Sequence, residues 1–352
     1  MAESQLIEIA TRHQAHIERF KANEVKVFTS YLNAMIKNTQ FELATNDELT
    51  ELNRRDLQKR ITAIKQIVND GFTEFKAEFD QIVLDFAEYE AEFEKKSLES
   101  VVKYDFAMPS SQQIKTAVFT SPFDIKGPDA GSLIDGLYKR WTTNEAYRIG
   151  NYIQLGYANG KTNKQIEQEI IELGYGVLGR NIQSLIRTTV QHAANVARQE
   201  TWKANSDIVK AYEWVSTLDT KTSQLCQALD TQKFKIGDGP LPPAHVNCRS
   251  STVPVLDKSF DILDKGATRS SRNPETGKVE SVSAKKNYYD WLKDQPAEVQ
   301  DSIIGPTRGK LLRNGGITTE RFAKLQLNKN FKPLTLAKMR KLEPAAFMRA
   351  EI

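Results

Sequence analysis

The sequence predicts a predominantly α-helical α+β protein. A long N-terminal helical hairpin or bundle is followed by a helical domain with a small β-containing Cys/His module. Three observations carry that prediction. Apolar residues recur at three- and four-residue steps through most of the first half of the chain. The period then changes to near alternation at Ala211-Tyr212-Glu213-Trp214-Val215-Ser216-Thr217. Finally, the only two cysteines, Cys226 and Cys248, share one short stretch with His245, one of only four histidines.

The first helix is read from Leu6, Ile9, Ile17, Phe20, Phe28, Leu32, Met35 and Ile36, which keep helical spacing. Residues 38–50 read as a turn-like break, after which Asn46 or Thr50 would cap the next helix. That second helix is clearer. Ile61, Ile64, Val68, Phe72, Phe75, Phe79, Ile82, Val83, Phe86, Tyr89 and Phe93 form one stripe, with Glu74, Glu78, Asp85, Glu88 and Glu92 on the other face. The preferred meaning of the stripe is a packing seam, the alternative a docking surface for another protein. Its acidic back argues against DNA binding there.

Pro109, Pro122, Gly127 and Pro128 interrupt any period over 101–130, which reads as an ordered connector. Helical patterning resumes from about Ser132 to Ala158 and stops at Asn159-Gly160. Thr162 and Gln165 match a capping box for a helix expected to end at Gly174. Another helix is expected from about Ile182 to Asn205. Strands follow at 211–217, 233–236 and 251–255. Residues 256–285 read as a polar loop, and short helices return at 288–292, 298–304 and 334–339. The resulting division is 1–100, 101–130, 131–255, 256–285 and 286–352.

Composition bounds the function. At 352 residues the chain suits two or three domains. Its 49 basic and 45 acidic residues leave only +4 of net charge, so the total lends no support to a dedicated duplex-DNA binder. Two cysteines cannot build a disulfide framework, which suits a reducing compartment. No window approaches 18 consecutive apolar residues, so neither a membrane anchor nor a signal segment is expected. Lys310, Arg313, Arg321, Lys324, Lys329, Lys332, Lys338, Arg340, Lys341 and Arg349 make the C-terminal region basic. A solvated face is the preferred reading, a contact with DNA or an acidic partner the alternative. Gly315-Gly316 lacks a phosphate-loop frame and reads as a turn.

Cys226, His245 and Cys248 allow three chemistries. Preferred is a pair of buried thiols with His245 bonding a loop backbone. The second is a structural zinc site, for which the fourth ligand would come from Ser250, His192, Asp219 or Asp230, none strong by type. In the third, one thiol is a nucleophile and His245 its base. Asp219, Thr220, Thr222, Ser223 and Asp230 suggest tight turns, and Arg249 can bond carbonyls or a carboxylate such as Asp219.

The order Arg187-Thr188, Ala197-Arg198, Trp214 to Ser223, Cys226, Leu229-Asp230, Gly237, Pro242-Pro243, His245, Asn247-Cys248-Arg249 resembles the phage Mu F-like and SPP1-type minor head proteins. These are also called head morphogenesis proteins. The resemblance covers roughly 130–255, with similarity in the tail at Trp291-Leu292, Gln295-Pro296, Gln300, Ile304-Gly305, Arg308, Leu311-Leu312 and Pro333-Leu334-Thr335. The family pattern commonly reads His-Pro-Asn-Cys-Arg-Cys. Here Val246 replaces the proline and Ser250 the last cysteine, which removes the most obvious fourth metal ligand.

The resemblance implies a virion protein that joins the prohead around the portal, in the head interior or at the portal vertex, after synthesis in the host cytoplasm. Implied partners are the portal protein, scaffold or major capsid protein, with viral DNA met during packaging or ejection. Arg187, Arg198, Trp214, Asp219, Cys226, Asp230, Pro243, His245, Asn247, Cys248 and Arg249 would form its structural motif, with no catalytic residue. The competing reading is an enzyme or toxin-like effector acting through Cys226, His245 and Cys248.

Overall fold

The computed structural model describes residues 2–44, 54–125, 129–256 and 266–352. It is α+β and mainly α: about 65% helix against 9% strand. Two long helices, α1 (Ala2–Ala44) and α2 (Arg54–Val101), pack on each other and on the later helix α6. The break expected at 38–50 therefore begins no earlier than residue 45. Tertiary contacts hold the last turns of α1: Leu43 is buried, and Thr39 and Tyr175 share a hydroxyl–hydroxyl bond of 2.5 Å. The expected caps Asn46 and Thr50 lie outside the described residues.

The aromatic stripe of α2 is a packing seam over most of its length. Phe72, Phe75 and Phe79 are buried, and Phe28 of α1 meets Phe75 edge-on at 4.9 Å. Tyr89, at the far end of the stripe, is exposed.

The connector contains a helix that the prolines conceal. α3 (Ser111–Thr120) starts from a Ser110–Gln113 capping box and buries only Ile114 and Val118. Pro109 and Pro122 bracket this helix instead of breaking it. After α4 (Ile134–Ala158), Gly160 takes the expected left-handed backbone at φ 66°.

The Thr162–Gln165 capping box opens α5 (Asn163–Glu169), but Gly174 does not end the helix. A π-helical turn over Ile170–Tyr175 carries the chain straight into α6 (Gly176–Ala204). Gly174 is buried within this turn, and a Cβ there would meet Ile149 of α4 only at ordinary contact distance, 3.4 Å. One continuous apolar core takes side chains from α1, α2, α3, α4, α5 and α6.

A three-stranded antiparallel sheet of order β2-β1-β3 comprises β1 (Val209–Val215), β2 (Lys233–Lys235) and β3 (Ser251–Leu256). Tyr212 pairs with Phe234 on one side and Pro254 on the other. The proline is tolerated because β3 is an edge strand. α7 (Gln224–Leu229), which no periodicity announced, lies between β1 and β2. The start of α1, through Leu6, Ile7 and Ala10, packs on this sheet with Trp202 of α6.

The polar loop expected at 256–285 is corrected by a hairpin of β4 (Thr268–Arg272) and β5 (Val279–Ser283). Its polar composition hides it. What anchors it is a charge, Arg269, only 1% exposed.

The remaining helices are α8 (Tyr288–Lys293), α9 (Ala297–Ile304), α10 (Pro306–Asn314), α11 (Thr319–Lys324), α12 (Leu336–Leu342) and α13 (Pro344–Arg349). They enclose a separate core around Tyr288, Tyr289, Trp291, Leu311, Leu312 and Phe322. Gly316 supplies the left-handed turn at φ 63°.

Candidate functional site

The Cys/His module is a knot of two turns seated on α6. Ser223 caps α7 by accepting from the Cys226 amide, and the short helix aims Cys226 inward. The second turn runs from the cis Pro242–Pro243 peptide, with Pro243 buried, to Arg249. At its tip Asn247 adopts φ 61°, a left-handed conformation that asparagine tolerates. The Asn247 amide donates to Thr188 Oγ1 at 3.2 Å, and its side chain donates to Ser184 Oγ at 3.0 Å. Both partners lie on α6.

These turns bring three donors together. Cys226 Sγ lies 3.2 Å from His245 Nε2 and 3.8 Å from Cys248 Sγ. All three donor atoms fall within 4.8 Å of one another. Both thiols are free and buried, and His245 is half-buried. The His245 Nδ1–H donates to the Val246 carbonyl at 2.9 Å, which leaves Nε2 facing the sulfurs.

Burial opposes the thiolate at Cys248. Hydrogen bonds from the Cys226 thiol and the His245 ring, and the imidazolium charge, outweigh it and hold this thiol well below its usual range. Cys226, donating to that sulfur and itself buried, is pushed far up. His245 is disfavoured as a cation by burial but raised overall by its bond to Cys248 and the attraction of that thiolate. The cluster is thus one thiolate held by a thiol and a histidine ring; a metal here would instead require both thiolates and a neutral ring, displacing the remaining protons.

The donor set fits a metal in its spacing. With zinc–sulfur bonds of about 2.3 Å, two thiolates on a tetrahedral ion lie about 3.8 Å apart, the separation seen between Cys226 and Cys248. Among the described residues, no fourth Cys, His, Asp or Glu joins the three. Ser250 is buried alongside, with its hydroxyl 3.4 Å from Ser216 Oγ. A cavity of about 20 Å³ bordered by Cys226, His245 and Ser250 has room for one water.

The carboxylates of the motif act on the backbone. Asp219 accepts from the Lys221 amide and Thr222 Oγ1 and forms a two-pronged pair with Arg249, at 2.6 and 2.9 Å. Burial works against its charge, but the guanidinium and these donors hold its pKa below the usual range. Asp230 receives the Ser216 amide at 2.7 Å and both Arg269 nitrogens at 3.0 Å. Trp214, fully buried, packs with Cys226 and Cys248 and donates to Ser216 Oγ.

Residues 148–253 match the family model for phage Mu protein F like protein. Over this segment the chain is similar to the phage Mu F-like family. No curated protein and no solved structure matches the chain.

Not every motif residue of the Mu F-like segment joins the cluster. Arg187 reaches outward to Glu18 of α1 at 2.6 Å. Arg198 does not reach the cluster either: it lies at the first residue of β3, buried between Glu90 of α2, at 2.8 Å, and the Ser251 hydroxyl. Of the expected fourth ligands, Asp219 and Asp230 are committed to arginines. His192 packs on Phe123 instead, and burial lowers its pKa to about 4.

Several residues that sequence reasoning missed support the site. Lys21 of α1 is fully buried and donates to Gln191 Oε1 at 2.5 Å, Glu18 Oε1 at 2.7 Å and the Cys248 carbonyl at 3.5 Å. Burial lowers its pKa against the pull of Glu18. Gln191 in turn donates to the Ser250 carbonyl at 3.0 Å. His13 lies 2.6 Å from Glu90. The signal was present: Lys21 falls four residues after Ile17, on the buried side of the helix.

Proposed function

We propose that the chain is a minor head protein of a tailed phage, taken into the prohead beside the portal and carried in the virion. The observation behind this reading is the Mu F-like segment at 148–253, whose signature side chains are bound up in holding one knot of turns. A substrate would find both thiols buried, and Asp219 and Asp230 already hold arginines. These are the properties of a structural module and count against turnover. The tie at its centre is proposed to be Cys226, His245 and Cys248, held by their mutual contacts and able to take up zinc.

The portal protein, with scaffold or major capsid protein, is the proposed partner. Viral DNA is proposed to meet the exposed lysines of the C-terminal region, such as Lys324, Lys329, Lys338 and Lys341. No described helix is long and apolar enough to cross a membrane.

Mass spectrometry of purified virions beside DNA-ejected particles tests the reading. The protein should be a low-copy component of the former, and its absence from both would sink the proposal. The full-length chain should also co-purify with a portal ring. Deleting residues 1–100 is a poor control, since it would remove α1 and α2 from the core. A catalytic rate abolished by both His245→Ala and Cys248→Ala would favour the enzyme instead. One equivalent of zinc, lost in Cys226→Ser, is expected of the tie.

A further inference from the structure

The β4–β5 hairpin has one edge that the fold engages and one that it does not. Hydrogen bonds fix which groups each edge presents. The Ala284 N–H donates to the Ala267 carbonyl at 3.0 Å, and the Asn273 N–H to the Lys278 carbonyl at 2.9 Å. In the observed register, Arg269 with Val282 and Ser271 with Glu280 then occupy the hydrogen-bonded positions of the ladder. The alternate residues turn their N–H and C=O groups away from the hairpin. These are Thr268, Ser270 and Arg272 on β4, and Val279, Ser281 and Ser283 on β5.

The β4 edge finds partners. The Thr268 N–H donates to Glu8 of α1 at 3.2 Å, and the Arg272 N–H to the Leu218 carbonyl at 2.9 Å. On the β5 edge the Ser283 carbonyl accepts from the Lys286 N–H at 3.0 Å. Among the described residues, no protein group meets the N–H or C=O of Val279 or Ser281, or the Ser283 N–H. The strand is open to solvent: Val279 is 65% exposed, and of its five side chains only Val282 is half-buried.

The edges of the other sheet are blunted. β2 is three residues long and carries exposed Lys233 and Lys235, while β3 contains Pro254 and lies against α1. Both features discourage strand addition. Over Val279–Ser283, β5 has no proline, no lysine and no bulge. A row of unpaired N–H and C=O groups at strand spacing suits one kind of occupant, an extended polypeptide.

We infer that this occupant is β5 of a second copy of the chain, paired antiparallel about a two-fold axis at Ser281. That register uses every outward group. Ser281 exchanges both of its bonds with the partner's Ser281. Val279 does the same with the partner's Ser283, whose carbonyl keeps a second lone pair. Glu280 then faces the partner's Val282, and no like charges are opposed within the strands. An axis at Glu280 would set two carboxylates face to face, and one at Val282 would carry Val279 past the end of the partner strand. Pairing converts a two-stranded ribbon, marginal by itself, into a four-stranded sheet of order β4-β5-β5-β4. A contact of this kind closes at two copies. It does not depend on the assembly reading.

Sedimentation equilibrium of the full chain tests the inference. The mass should rise from 39.9 kDa toward twice that value as concentration increases. Ser281→Lys and Ser281→Glu each place like charges on the axis. Each should weaken association about tenfold or more, at unchanged melting temperature because Ser281 is exposed. Mixing the two variants should restore dimers, since a lysine then faces a glutamate. A chain that stays monomeric up to about 1 mM would overturn the inference, and is the result expected if another protein supplies the strand. A dimer left intact by either variant would overturn it by placing the interface elsewhere. A mixture no more associated than its parts would overturn it by removing the two-fold register.

Discussion

The two ends of α2 are buried by opposite means. From Leu57 to Phe86 the helix meets its neighbours with apolar side chains, and Phe79 reaches complete burial. From Glu90 to Ser97 the same stripe continues, yet it buries carboxylates. Glu90 is sealed between Arg198 and His13, and Glu94 takes the indole N–H of Trp202 at 2.7 Å. Periodicity decides which face of a helix is covered; the facing element decides what chemistry survives there. At the Glu90 level α6 presents Arg198, and α1 presents His13.

The two largest mutational losses should therefore match in size and differ in kind. Phe79→Ala opens a cavity and should cost about 3–5 kcal/mol in urea unfolding. Glu90→Ala leaves Arg198 charged and unpaired in a dry site and should also cost about 3–5 kcal/mol. They separate with pH. Burial works against the Glu90 charge, but Arg198 and His13 prevail and its pKa is lowered. Its contribution is thus complete above the usual carboxylate value and is lost as pH falls through the lowered folded one. The Glu90→Ala deficit should hold from pH 5 upward and shrink in stronger acid, while the Phe79→Ala deficit should not follow that curve. Parallel curves for the two variants would mean that Glu90 acts only as packing.

A double replacement sharpens the contrast. Glu90→Leu with Arg198→Met removes both charges and should lose clearly less than Glu90→Ala alone, since a buried pair gains little over well-packed apolar groups. A double variant as unstable as the single one would assign the stability to the ion pair itself.

The same contrast explains what could be read from the sequence. Where burial is apolar, spacing reported it: the α2 stripe and the helix to Ala158. Within the knot, short-range turn chemistry was legible, since aspartates and hydroxyls bond amides only a few residues away. Asp219 accepting from the Lys221 amide is one such case. Where burial is polar, the signal inverted. Arg269 made β4 look solvent-exposed, and the apolar stripe of α2 gave no mark of the buried Glu90. The missed helix α3 is a different failure, because only two of its ten residues, Ile114 and Val118, are buried, too few to mark a period. The Cys/His cluster was suggested by clustering in sequence, but its 3.8 Å sulfur spacing depends on α7 and the cis turn, neither of which spacing reveals.

The smallest expected effect tests which force rules at the next turn of α2. Glu94 lies one helical turn beyond Glu90 and shares Arg198, but from 3.9 Å, and its pKa moves the other way. Burial raises it more than Arg198 and the Trp202 bond lower it. The sign follows directly. A carboxyl with a raised folded pKa favours folding when protonated, so its contribution is full below the usual value of 4.5 and is lost as pH rises through the folded one. Glu94→Gln keeps an acceptor for Trp202 and removes the charge. At pH 7 it should stabilise the protein by about 1 kcal/mol, near the net worth of one buried hydrogen bond. That gain should fade as pH is lowered toward 4.5, where the natural carboxyl is itself neutral. A loss of stability at pH 7 would mean that the long contact with Arg198 outweighs desolvation. Glu90 and Glu94 would then be one ion-pair network, and the boundary between polar and apolar burial would fall at Phe86 alone.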